Sequence, residues 1–165
     1  MAQNSLSNLF TIDAQGAYHP ADSKTIIAKA RQCLDRRLVR SNLFANPSAV
    51  KDYLSLKMGA YEREVFSVIF LDAQNGVIEY REMFQGTLTQ TSVYPRAVVK
   101  LSLELNAAAV ILAHNHPSGA AEPSRADEYL TQTLKSAMAM VDVRVLDHCV
   151  VGGGRVTSFA ERGLL

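Results

Sequence analysis

The chain has 165 residues, enough for one domain with a real buried core. With 48% hydrophobic residues, 20% charged residues and a net charge of +1, it carries no overall field to draw in nucleic acid, so duplex binding would need a local patch. No apolar run reaches the ~18 residues of a membrane span. The first ten residues lack a basic start and apolar middle, and Cys33 and Cys149 suit reduced, buried thiols better than a disulfide framework. The expectation is a cytoplasmic protein without membrane contact.

Taken in order, residues 1–20 show no clean period; Asp13 to Gly16 is a turn signal and the rest reads as an extended arm. Asp22 or Ser23 can cap a helix whose apolar positions Ile26, Ile27, Ala30, Leu34 and Leu38 follow helical spacing. Arg36, Arg37 and Arg40 at its far end are either a phosphate patch or, more plainly, a solvated helix end that complements the dipole. His19, beside Pro20, is given no chemistry. Asn46-Pro47-Ser48 opens a second helix that ends near Gly59.

Residues 62–72 are rich in β-branched and aromatic residues and predict a strand, and Asn75-Gly76 predicts a type I′ hairpin to a partner strand over 77–84. The stretch from Gly86 to Ser92 reads as a loop, and Pro95 fits the first turn of a third helix that Asn106 can close. A short apolar strand over 107–113 follows, then a helix over 125–140 with Ala126, Leu130, Leu134, Ala137, Met138 and Val141 as its buried stripe. Strands over 143–151 and 156–159 flank Gly152-Gly153-Gly154, which reads as a hairpin turn because no Lys-Ser/Thr pair and no helix follow it. This order implies a mixed β-sheet flanked by helices, of α/β or α+β class.

The chemistry concentrates in 113–127. His114 and His116 follow an apolar strand, and side chains two apart on a strand leave the same face, with roughly 7 Å between Cα atoms. Pro117 and Gly119 stop the strand, and a helix starts at Ser124 with Asp127 in its first turn. Two imidazoles and one carboxylate returning to one place make three ligands for a single Zn2+, with a fourth position open, as catalytic sites require. Ser124-x-x-Asp127 is also an ordinary capping box, which would give Asp127 no other duty. Cys149 beside His148 could be a second ligand pair, but adjacent strand residues point to opposite faces.

His-x-His-Pro, then Pro-Ser-x-x-Asp with ten residues between His116 and Asp127, resembles the JAMM motif of MPN-type metalloproteases. The wording His-Asn-His-Pro-Ser-Gly and Glu-Pro-Ser-Arg-Ala-Asp, with Tyr-Pro-Arg at 94–96 and the run 104–113, resembles the RadC branch of that superfamily. The resemblance covers 45–165 and leaves 1–44 as an N-terminal arm and helix. It implies an MPN-like fold, related in layout to the cytidine deaminases. It also implies zinc on His114, His116 and Asp127 and hydrolysis of an amide in a protein or peptide substrate. In the family a glutamate at the start of the first core strand manages the proton. Glu62 and Glu64 share strand parity, but Glu64 directly precedes Val65-Phe66, as the family's Glu-x-Phe wording suggests. The family's serine three before the aspartate, here Ser124, supports the oxyanion as well as capping the helix, while Ser118 shapes the loop.

Three other readings compete. RadC-like proteins carry a DNA-repair label, and longer members bear a helix-hairpin-helix module, but the first sixty residues lack its Gly-rich hairpin. Zinc deaminases need His-x-Glu and Pro-Cys-x-x-Cys, and neither occurs. A non-catalytic MPN interaction module would be expected to have lost motif residues, and all are present here. The nuclease reading of the letters His-Asn-His is coincidental.

Overall fold

The computed structural model describes residues 9–38, 47–86 and 92–165, with the side chains of 34–38 outside that set. The arginine patch of the first helix and the loop after Gly86 therefore lie outside the described residues. The chain divides into two compact units, 1–37 and 38–165.

In the first unit the expected extended arm is a hairpin. β1 (Phe10–Ile12) pairs antiparallel with β2 (Tyr18–Pro20). The Asp13 carboxylate closes the turn by accepting the Gln15 and Ala17 N–H groups, both at 2.9 Å. Strands of three residues are too short to show a period, so only the turn was readable. Helix α1 (Ser23–Leu38) follows, and Asp22 caps it by accepting the Thr25 N–H at 2.7 Å. Cys33 is exposed, against the expectation of burial.

The second unit is built on a five-stranded mixed sheet. Its elements in order are α2 (Pro47–Met58), β3 (Val65–Leu71), β4 (Val77–Gln85), α3 (Pro95–Glu104), β5 (Ala109–Asn115), α4 (Arg125–Ala139), β6 (Arg144–Gly152) and β7 (Arg155–Ser158). The strand order is β4-β3-β5-β6-β7; the pair β5/β6 is parallel and the others antiparallel. Every residue of β3 and β5 is buried. Phe66, Val68, Phe70, Val110 and Leu112 pack on one face with Val98, Leu134 and Met138 of α3 and α4. Helix α2 packs against β5, β6 and β7 and buries Val50, Tyr53, Leu54 and Met58. Covering on both faces is why the central strands read as continuous apolar runs rather than alternating ones.

Two local departures matter. Asn75-Gly76 does not form a type I′ turn: Asn75 is left-handed at φ 61°, but Gly76 is not. The chain turns over Asp72 to Asn75 instead, because the Asp72 carboxylate accepts the Gln74 and Gly76 N–H groups at 2.9 and 2.7 Å. In β6 a register shift pairs Val110 with Val145 but Ile111 with Asp147, leaving Leu146 without a partner. The bulge inverts strand parity, so Val145 and His148 share the α4 face of the sheet. The glycine triplet forms the expected β6–β7 turn, with Gly153 and Gly154 at φ 55° and 76°.

Candidate metal centre

A parallel pair of strands needs a crossover, and α4 supplies it between β5 and β6. The chain leaves the end of β5 and turns back, so the start of α4 lies over that end. This topology brings the motif residues together. His114 lies in β5 opposite Phe66, and its side chain is almost wholly buried. His116 lies just past the strand, yet its N–H still reaches Val151 O at 2.8 Å, so the ladder holds it in place. Asp127 is in the first turn of α4.

His114 Nε2 lies 3.0 Å from His116 Nε2 and 3.2 Å from Asp127 Oδ1, and His116 Nε2 lies 3.7 Å from Asp127 Oδ2. One donor atom from each residue falls within 4.8 Å of the others, a cluster able to hold a metal ion. The capping role of Asp127 is also real, and the two duties fall largely to different oxygens. Oδ2 accepts the Ser124 N–H and hydroxyl, both at 2.7 Å, while Oδ1 faces His114. Burial alone would raise the pKa of Asp127, but the hydrogen bond and charge of His114, with the Ser124 donors, outweigh it and hold the carboxyl well below its usual range.

Each histidine also needs a partner for its other ring nitrogen. His116 Nδ1 meets Ala120 O at 2.8 Å, and a carbonyl only accepts, so the proton sits on Nδ1 and the Nε2 lone pair faces the cluster. His114 Nδ1 meets His148 Nε2 at 2.9 Å, and His148 Nδ1 meets Thr131 Oγ1 at 2.6 Å. Burial, then the charge of His114, push the His148 pKa well below the ordinary histidine value. Borderline nitrogen donors and one carboxylate, oriented from behind, fit zinc. Sequence reasoning named His148 only beside Cys149, in a metal pair it set aside, and missed Thr131. The only available signal was that Thr131 follows Asp127 by one helical turn.

Asn115, between the two histidines, was also missed. Its Oδ1 accepts the Val65 N–H at 2.9 Å, and its Nδ2 donates to Arg63 O at 3.0 Å. It thus staples the segment carrying Glu64 to the tip of β5. The β3–β5 ladder ends with Phe66 facing His114; Glu64 lies just before the start of β3, and Glu62 lies in the bend that precedes it. The Glu64 carboxylate makes no hydrogen bond to the three ligands among the described residues. Ser124 is exposed at the N-cap of α4, and Ser118 accepts the Ala120 N–H at 3.5 Å inside the loop. Cys149 is buried on the opposite face of β6 from His148, donates weakly to Asp147 and stands outside the cluster.

A family profile for the RadC-like JAB domain matches residues 44–164. The chain belongs to the RadC-like JAB-domain family. It is 56% identical to a UPF0758 protein of Leptothrix cholodnii over 159 residues, covering 96% of this chain and 72% of that protein. It is also 56% identical to a UPF0758 protein of Vibrio cholerae over 140 residues, covering 85% of this chain and 88% of the relative. The five-stranded mixed sheet with its helices agrees with a JAB/MPN-like α+β fold. The JAB domain accounts for the whole β5–α4 crossover and the His114, His116 and Asp127 cluster. No described helix is long and apolar enough to cross a membrane.

Proposed function

We propose that this JAB domain is a zinc-dependent metallohydrolase that cleaves an amide bond, peptide or isopeptide, in a protein or peptide substrate. The observation that carries the reading is the convergence of His114, His116 and Asp127 donor atoms at one point, with the rear nitrogens of both imidazoles engaged elsewhere. These three residues would hold one zinc ion per chain. Zinc in such a site polarises a carbonyl and lowers the pKa of water from 15.7 to about 7.

The chain's own residues do the rest. Glu64, carried on the segment that Asn115 holds through the Val65 N–H and Arg63 O, would accept the proton of the attacking water and pass it to the leaving nitrogen. Ser124 rests with its hydroxyl proton on Asp127 Oδ2 and would turn it to the developing oxyanion, a contribution of ~10²–10³ in rate when well aimed. His114 is walled off from water beside Phe66, whose ring lies parallel to it at 6.4 Å, so the charges act in a low-dielectric setting.

Metal analysis of purified protein tests the reading. Wild type should hold one zinc and His116→Ala should lose it; equal zinc in both would reject the site. Glu64→Gln should keep zinc while hydrolysis falls ~10²–10⁴-fold, and proteins trapped by that variant would identify the substrate class.

A further inference from the structure

We infer that Thr131 and His148 form a two-residue proton-ordering chain that fixes a proton on His114 Nδ1, and so reserves Nε2 as the nitrogen that ligates the metal. The inference rests on the metal reading above and adds two positioning residues to it. It follows from counting protons along three hydrogen bonds. Thr131 Oγ1 has a single proton and two neighbours, Asp127 O and His148 Nδ1, both at 2.6 Å. A main-chain carbonyl can only accept, so the hydroxyl proton goes there, in the backward bond that helical threonines make. His148 Nδ1 must then be the donor to Thr131.

The ring of His148 is fully buried, with Phe159 stacked on it at 4.8 Å and the edge of Phe66 against it at 5.7 Å. Among the described residues its nitrogens meet Thr131 and His114, and a charged imidazolium between two phenyl rings would have no carboxylate in contact with it. His148 is therefore neutral, with its Nε2 bare. At 2.9 Å that nitrogen accepts, which makes His114 Nδ1 the donor and leaves Nε2, between His116 and Asp127, as the nitrogen a metal would take. The Nδ1–H form imposed on His148 is the opposite of what a donor toward His114 would require, so the terminal helix carbonyl decides the outcome three bonds away.

The main chain fixes where this histidine stands. The β6 bulge at Leu146 turns His148 to the α4 face. Asp147 secures the bulge: its Oδ1 accepts the His148 N–H at 2.7 Å and the Ala160 N–H at 3.0 Å, and its Oδ2 accepts the Ser158 hydroxyl at 2.6 Å. On the other side the Phe159 N–H holds His148 O at 2.9 Å.

The test combines imidazole nitrogen-15 NMR of the full chain with competitive zinc titration. In wild type, His148 should show the Nδ1–H tautomer. Thr131→Val keeps the shape and removes the acceptor, so that tautomer should give way to Nε2–H and zinc affinity should fall 10–100-fold. Thr131→Ser should restore both signals, and His148→Gln, whose amide also accepts toward His114 and donates toward Thr131, should bind zinc near the wild-type level. A folded Thr131→Val protein with wild-type zinc affinity, or an Nε2–H signal from His148 in wild type, would overturn the inference. Should wild type bind no zinc, the metal reading fails, and the His148 spectrum still decides the proton order.

Discussion

Asp127 shows how much a single residue can carry here. One oxygen closes the capping box and the other faces His114, so removing the carboxylate and removing the cap are separable experiments. Ser124→Ala should destabilise the chain by about 1 kcal/mol through the lost cap, read by urea denaturation. Asp127→Asn can still accept the Ser124 N–H and should lose zinc with a smaller change in stability. In metal-free protein the two should also differ in pH dependence. The folded-state pKa of Asp127 lies below its unfolded value of 3.8, so its contribution is fully present above that value and is lost as pH falls through the lower folded one. Stability measured from about pH 6 down to about pH 3 should therefore decline, and Asp127→Asn should flatten the acid end of that curve. The capping box could be read directly from Ser124-x-x-Asp127 because it is local. The division of labour between the two oxygens needed the position of His114, which comes from another strand.

Among the elements, the tip of β5 and the β6–β7 turn do the positioning. Asn115 satisfies the Val65 N–H in a buried place, so Asn115→Ala should cost about 1–3 kcal/mol and should lower turnover more than zinc affinity, because it frees the Glu64 segment and not the ligands. Metal analysis beside a turnover assay checks the split. Gly152 is required for space, not for conformation: a Cβ there would stand 2.8 Å from the carbonyl carbon of Ala120 and 2.9 Å from the Ala121 nitrogen. Ala120 O is the partner of His116 Nδ1, so Gly152→Ala should both destabilise the chain by about 1–3 kcal/mol and weaken zinc binding, checked by thermal melts and titration. Element types and order were legible because helical and strand periods are local. The β-hairpin of the N-terminal unit was not, since its strands are only three residues each. The parity of β6 was not legible either, since strict alternation from Val143 and Val145 would send His148 away from α4.

For the molecule as a whole, the site exists because one parallel crossover sits inside an otherwise antiparallel sheet. Zinc that binds only the folded state stabilises it by mass action, about 2.7 kcal/mol when free metal is 100 times its dissociation constant. Chelation should therefore lower the melting temperature of wild type and leave that of His116→Ala unchanged; equal shifts in both would argue against a native site. The order of elements in the second unit and the choice of His114, His116 and Asp127 were decided by sequence alone. All three lie within fourteen residues, and strand geometry with a capped helix forces them to one end. What only the tertiary structure decided is which groups stand behind them. His148 arrives from a distant strand whose bulge reverses its face, Thr131 lies on the hidden side of α4, and Asn115 works through the backbone of β3. Those partners are set by packing and register across the sheet, and apart from the one-turn spacing of Asp127 and Thr131 no local pattern in the chain encodes them.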